Sequence, residues 1–162
     1  MKIIAIAALA DNNGIGQDGK LLFNCKEDMR HFVEVTKGHA VLMGRKTFDE
    51  IGKPLKDRLN IILSERELSV GGAVICHSIA TALDYAESNG FEKLFICGGG
   101  NVYKNTFNLW DEIIMSKFPI SVKSDTYFPS TTSSDWKYKT PIEQVKDSSG
   151  KLIFSIHHLT RK

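Results

Sequence analysis

Short apolar or β-branched runs recur along the chain at residues 2 to 9, 39 to 43, 59 to 63, 73 to 76, 93 to 97 and 111 to 118, most of them separated by segments with helical spacing. A strand with helices packed on both sides has no face for water and so loses the usual apolar-polar alternation. The pattern therefore predicts an α/β fold with a mostly parallel sheet and helices on both faces. Segment 26 to 37, KEDMRHFVEVTK, places Met29, Phe32, Val33 and Thr36 at helical spacing, and Gly38 follows as a stop. The stretch SIATALDYAESNG predicts a helix capped by Ser78, with Ile79, Ala82, Leu83 and Ala86 inward and Asn89-Gly90 at its end. The tail differs: DWKYKT and KLIFSIHHLT, with DSSGK between them, predict a C-terminal antiparallel hairpin at the sheet edge.

A chain of 162 residues fits one domain, 1–162, and buries roughly 70% of its unfolded surface without staples. Basic and acidic residues nearly balance, 21 against 19, with no long basic cluster, which argues against nucleic acid as a partner. Cys25, Cys76 and Cys97 form no C-x-x-C pair and the histidines no H-E-x-x-H, so no metal site or disulfide framework is expected and a reducing cytoplasm suits the chain. No apolar stretch reaches the ~20 residues of a membrane span, so no membrane partner is expected. MKIIAIAALA imitates a short secretory signal ending in Ala8-Leu9-Ala10, but it also reads as a buried first strand closed by the turn Asp11-Asn12-Asn13-Gly14.

Open α/β sheets bind ligands beyond the carboxyl ends of their strands. Three such places carry informative residues. After the run 93 to 97 come Gly98, Gly99 and Gly100, which read either as a tight strand-to-helix turn or as a place where a phosphate approaches bare main chain. After 39 to 43, Arg45 and Lys46 open a helix whose positive end ordinarily favours acids, so they are an exposed pair or the partners of an anion. After 59 to 63, Ser64 and Arg66 flank Glu65 and offer a further phosphate contact. A dinucleotide phosphorylated on its ribose fits all three. Asp28 lies beside the apolar stripe of the helix 26 to 37, either as a first-turn acid or as the anchor of a flat cationic ligand packed near Phe32.

Taken together, IAALADNNGIGQDG, the helix with Asp28 and Phe32, VLMGRKTF, IGKPLKDRLNIILS, ICGGGNVY and SDTYFP resemble the dihydrofolate reductase family over almost the whole chain. Six motifs in order are far more specific than any one. The resemblance removes the signal-peptide reading, since the first motif begins in the first apolar run. It implies an α/β sandwich around a mostly parallel eight-stranded sheet, with NADPH reducing dihydrofolate at C6 while N5 gains a proton. It also implies a cis peptide between Gly98 and Gly99. Antifolate-type small molecules are expected ligands, and the family's habit is a monomer.

By the same resemblance, Asp28 holds the pterin and favours N5 protonation, with Ser116 retaining a hydroxyl beside it and Phe23 supplying an aromatic wall. Ile6, Ala8, Leu21, Phe32, Ile51, Leu55, Cys97 and Tyr103 line the substrate pocket, and Arg58 grips a glutamate carboxylate. Cofactor contacts fall to Ala8, Ile15, Gly16, Gly44, Arg45, Lys46, Thr47, Leu63, Ser64, Arg66, His77, Cys97, Gly98, Gly99, Gly100, Asn101, Val102, Tyr103 and Thr126. The chain departs from the family where L-P-W and a second proline are usual: Leu21-Leu22-Phe23 and Asn24-Cys25-Lys26 lack both prolines and the indole. A more mobile loop over residues 10 to 25 is the expected consequence. Two other readings are a pteridine or pyrimidine reductase of the same fold, such as the reductase half of riboflavin biosynthesis, and a non-catalytic NADPH- or folate-binding module. Asp28, Phe32 and Arg58 occurring together favour folate.

Overall fold

The protein is described by a computed structural model over residues 1–132 and 134–162. Among these residues the elements run β1 (Lys2–Leu9), β2 (Gly14–Gln17), β3 (Lys20–Leu21), α1 (Lys26–Thr36), β4 (Ala40–Gly44), α2 (Arg45–Ile51), β5 (Leu59–Leu63), β6 (Ala73–Cys76) and α3 (Ile79–Ser88). They continue as β7 (Lys93–Ile96), α4 (Gly100–Thr106), a 3-10 turn at Phe107–Leu109, β8 (Glu112–Lys117), β9 (Thr126–Tyr127), β10 (Trp136–Tyr138), β11 (Glu143–Lys146) and β12 (Leu152–Arg161). The main sheet follows the order β10-β12-β8-β1-β7-β4-β5-β6, with β11 joining β12 beside that path.

From β8 through β6 every neighbouring pair is parallel. In this sheet β12 is the reversed strand: its pairings with β8, β10 and β11 are all antiparallel. The unbroken apolar runs follow from burial on both faces. Along β1, Ile4 and Ile6 pack with Phe95 and Phe48 on one face, while Ala5 and Leu9 pack with Leu94 and Trp110 on the other. The second face carries α3 through Ala82 and Ala86 and α4 through Val102 and Tyr103. The first face carries α1 and α2 through Phe32, Val35 and Phe48. The apolar start that imitates a signal is thus the strand between β7 and β8.

Ser78 caps α3 as expected, its hydroxyl accepting from the Thr81 amide at 3.1 Å. The C-terminal hairpin is more divided than the sequence predicts. Both β10 and β11 pair with β12, with residues 139 to 142 interrupting them at Pro141, whose ring removes a ladder donor.

The apolar stripe expected on α1 needs correction. Phe32 and Thr36 do face inward, but Met29 is 53% exposed and Val33 39% exposed. The packed edge runs through Phe32, Val35 and Thr36 instead, while Met29 borders the cavity and Val33 faces solvent. Residues 14 to 21 join 126 and 127 in an unforeseen small sheet in the order β3-β2-β9, held further by the Asp18 amide donating to Asp125 at 2.9 Å.

Candidate active site

A cavity of about 260 Å³ opens past the carboxyl ends of β1, β7 and β8, with α1 on one side and the start of α2 on the other. This is where an open parallel sheet leaves room, since β7 returns between β1 and β4. Its floor includes Ile6, Ala8 and Cys97, and its walls include Ile15, Leu21, Phe23, Phe32 and Ile51. Phe23 lies flat on Phe118, with centroids 3.9 Å apart and planes 10° from parallel. That stack secures an aromatic wall without a polar handle.

Asp28 projects from the first turn of α1 into this apolar space. Burial pushes its carboxyl above the ordinary value; a hydrogen bond from Ser116 and the nearby His31 oppose that rise. Ser116 itself is buried on β8 and lines the same cavity. The two other acidic side chains deep in the site are neutral at physiological pH. Burial raises the Tyr103 phenol well above its usual value, and its hydroxyl donates to the Ile6 carbonyl at 2.6 Å. Burial likewise pushes the Cys97 thiol up to about 12. Asp28 is therefore the carboxylate that the cavity interior offers a ligand.

The triple glycine forms the opposite wall, and the peptide joining Gly98 to Gly99 is cis. Each glycine also accommodates a neighbour of its own. An added Cβ would meet the Tyr103 ring at 3.3 Å on Gly98, the Thr47 hydroxyl at 3.3 Å on Gly99, and the Thr126 methyl at 2.5 Å on Gly100. The turn is pinned to β4 by the Gly44 amide donating to the Gly98 carbonyl at 2.9 Å. Gly16, Lys46, Thr47 and Thr126 complete this side of the cavity.

Other expected cofactor residues sit around it rather than in its lining. Gly44 and Leu63 end β4 and β5, Val102 is buried in α4, and Asn101 is exposed. Arg45 is partly neutralised by Asp49 one turn on, at 3.7 Å, which answers in part why two cations open α2. Ser64, Arg66 and His77 form a separate group: the Ser64 hydroxyl accepts from the Arg66 amide at 3.1 Å, and His77 Nδ1 donates to the Ser64 carbonyl at 2.6 Å. Two expected substrate residues also lie outside the lining. Leu55 packs against the α1 face of the core, while Arg58 donates to the Thr36 hydroxyl at 3.0 Å and to the carbonyls of Lys56 and Val33. In this arrangement its guanidinium braces the end of α1.

The cavity also includes residues that sequence reasoning did not select: Ala7, Gly19, Lys20, Leu22, Asn24, Cys25, Met29, His31 and Glu50. Most are neighbours of selected positions. His31 had a signal available, since it stands three residues from Asp28 on one helix face.

Comparison with known proteins agrees with the geometry. A family model described as dihydrofolate reductase matches residues 2–161. A dihydrofolate reductase of Bacillus subtilis (strain 168) is 34% identical over 143 residues, covering 88% of this chain and 84% of that protein. Dihydrofolate reductase type 3 of Salmonella typhimurium is 36% identical over 138 residues, covering 85% and 84%. The solved structure of a dihydrofolate reductase from Enterococcus faecalis, complexed with NADP(H) and RAB-propyl, superposes with a TM-score of 0.87 at 27% identity, covering 99% of this chain and 96% of that one. With the match running from the first strand to the last and taking in both walls of the cavity, the chain belongs to the dihydrofolate reductase family.

Proposed function

We infer that the protein reduces 7,8-dihydrofolate to 5,6,7,8-tetrahydrofolate with NADPH, and that Asp28 is the residue on which recognition of the pterin turns. The observation that carries this reading is a single half-buried carboxylate, backed by the Ser116 hydroxyl, across one cavity from a wall of bare glycine backbone.

The chain fits NADPH on structural grounds. A Cβ on Gly100 would overlap Thr126 and one on Gly99 would press on the Thr47 hydroxyl, Thr47 and Lys46 stand beside them at the start of α2, and Ser64, Arg66 and His77 group at the end of β5. Lys46, Thr47 and Arg45 would hold the phosphates of the bridge, and Ser64 and Arg66 the phosphate on the ribose. When bound, NADPH supplies the hydride that reaches C6.

The chain's own residues do the rest. The Asp28 carboxylate accepts from the 2-amino group and N3 of the pterin, and its charge raises the basicity of N5 so that a proton is taken up there, a contribution of about 10²- to 10⁴-fold. The Ser116 hydroxyl favours the ionised form of that carboxylate. Ile6, Phe32 and Ile51 exclude water from the ring, and Ala8, Cys97 and the glycine wall fix the distance between the reacting faces. Tyr103 cannot compete as an acid, because its proton is committed to the Ile6 carbonyl. Arg58 takes the carboxylate of the glutamate tail once that ligand displaces the carbonyls it now serves. We place the chain as a single-domain, monomeric cytoplasmic enzyme that also accepts antifolates through Asp28. Following NADPH oxidation with and without dihydrofolate tests the reading: oxidation that is independent of dihydrofolate, or absent altogether, overturns it.

A further inference from the structure

Behind α1 lies a second cavity, of about 270 Å³, between that helix, the sheet and residues 139 to 143. Ile4, Phe95 and Ile114 form its apolar floor, and Lys93, Glu143 and His158 stand around it. Among the described residues, His31 is the one that lines both this cavity and the substrate cavity. Its Nε2 is buried and has no hydrogen-bond partner. A buried ring nitrogen is ordinarily satisfied, so an orphan wedged between two cavities calls for a role. Asp28 sits three residues earlier on the same helix, on the same side.

We propose that His31 is a positioning residue for the reaction, transmitting the charge of the rear cavity to Asp28 and keeping that carboxylate ionised under acid conditions. The proposal rests on the function given above. Every charged group facing the imidazole bears on it. Burial disfavours the imidazolium and lowers the His31 titration, while Asp28 and Glu34 on α1 and Glu143 on β11 favour the cation and His158 on β12 disfavours it. Lys93, Glu112 and Lys139 also line the rear cavity, but Glu112 is bound by Lys2, Lys139 and His158 and leaves little free charge. Each charge favours the other: the imidazolium opposes the rise that burial imposes on Asp28, and the Asp28 carboxylate opposes the fall that burial imposes on His31. Glu143 is exposed and does not line the substrate cavity, which makes it a handle on His31 from behind.

The test is a carbon-13 titration of aspartate carboxyls in the unliganded enzyme, with D28N assigning the Asp28 resonance, in the wild type, H31Q, E143Q and the double variant. H31Q is expected to move the Asp28 midpoint upward and to lower kcat/KM on the acid side by roughly threefold while leaving the alkaline side unchanged. E143Q moves the midpoint the same way by less, and adds nothing in the H31Q background. Superimposable wild-type and H31Q titrations overturn the proposal, as does an E143Q shift that survives in H31Q; H31N replaces H31Q where the latter does not fold. The resonance needs no turnover. A shifted midpoint in an enzyme that never oxidises NADPH with dihydrofolate would therefore sink the proposed function and leave the His31–Asp28 coupling standing.

Discussion

Asp28 and Glu112 are both carboxylates drawn out of bulk water beside one sheet, and they are solvated in opposite ways. Glu112, on β8, is 3% exposed and receives Lys2 Nζ at 2.6 Å, Lys139 Nζ at 3.0 Å and His158 Nε2 at 2.6 Å. Burial alone would raise its titration, but those three partners outweigh it and hold the carboxyl at about 2. Asp28 has burial pushing the same way and only Ser116 and His31 in opposition, so its value ends above the ordinary one. A carboxylate that the protein fully satisfies has nothing left for a ligand. One left short of partners costs the fold something and offers that deficit to a substrate.

Removing Asp28 is the most severe way to test this contrast. D28N should lower kcat/KM for dihydrofolate at neutral pH by about 10²- to 10⁴-fold. Its stability should not fall. A folded-state value raised above the unfolded one means that ionising Asp28 costs folding free energy as pH climbs through that window, and the cost persists at neutral pH. Thermal unfolding of D28N at neutral pH is thus expected to match or exceed the wild type, and a clear loss of melting temperature would make Asp28 a second Glu112.

Glu112 should behave as the mirror image. E112Q strands Lys2, Lys139 and His158 around a neutral amide and is expected to cost about 3 kcal/mol, read by denaturant unfolding, with KM for dihydrofolate little changed. The pH dependence has a definite sign. A depressed carboxyl contributes stability that is fully present above its unfolded value near 4.5 and is lost as pH falls toward about 2. An acid unfolding profile that E112Q leaves unaltered would contradict the role given to this cluster.

These two acids were not equally legible in the sequence. Asp28 stands beside an apolar stripe on one helix, and a local pattern suffices to find it. Glu112 meets partners at residues 2, 139 and 158, brought together by the β1-β8-β12 pairing and by the segment after β10 that lies along β12, so no spacing announces it. The same division runs through the fold. Strands buried on both faces were plain because two-sided burial writes an unbroken apolar run, as in β1 and β5. The small sheet of β2, β3 and β9 was not, because it joins residues 14 to 21 with 126 and 127 through strands too short to carry a period. Met29 and Val33 misled for a related reason: helical spacing gives a face, and only tertiary placement says whether it meets the sheet, the lip of a cavity or solvent.

A smaller effect tests the glycine wall opposite Asp28. G100A sets a Cβ 2.5 Å from the Thr126 methyl, an overlap that the threonine side chain must move to relieve. The expected cost is about 1 to 2 kcal/mol in stability together with weaker NADPH binding, measured by unfolding and by cofactor titration. Trimming the neighbour in G100A/T126S should restore the stability, because it removes the struck methyl and keeps the hydroxyl. If NADPH affinity recovers to the same extent, close packing within the protein explains Gly100 fully. Affinity that stays low while stability returns assigns the remaining need for glycine to the cofactor's approach.

The mildest change alters the solvation of Asp28 without removing it. S116A deletes the hydroxyl that favours the ionised carboxylate, and so moves Asp28 further up. Activity should fall a few-fold on the acid side and converge with the wild type at alkaline pH, where the carboxylate is charged with or without help. S116T keeps the hydroxyl, adds a methyl beside a cavity that has room for a ligand, and should follow the wild-type profile. A uniform loss across all pH in S116A would mean that Ser116 acts by packing. The distance between Asp28 and Glu112 would then lie in their burial alone, with the count of hydrogen-bond partners playing no part.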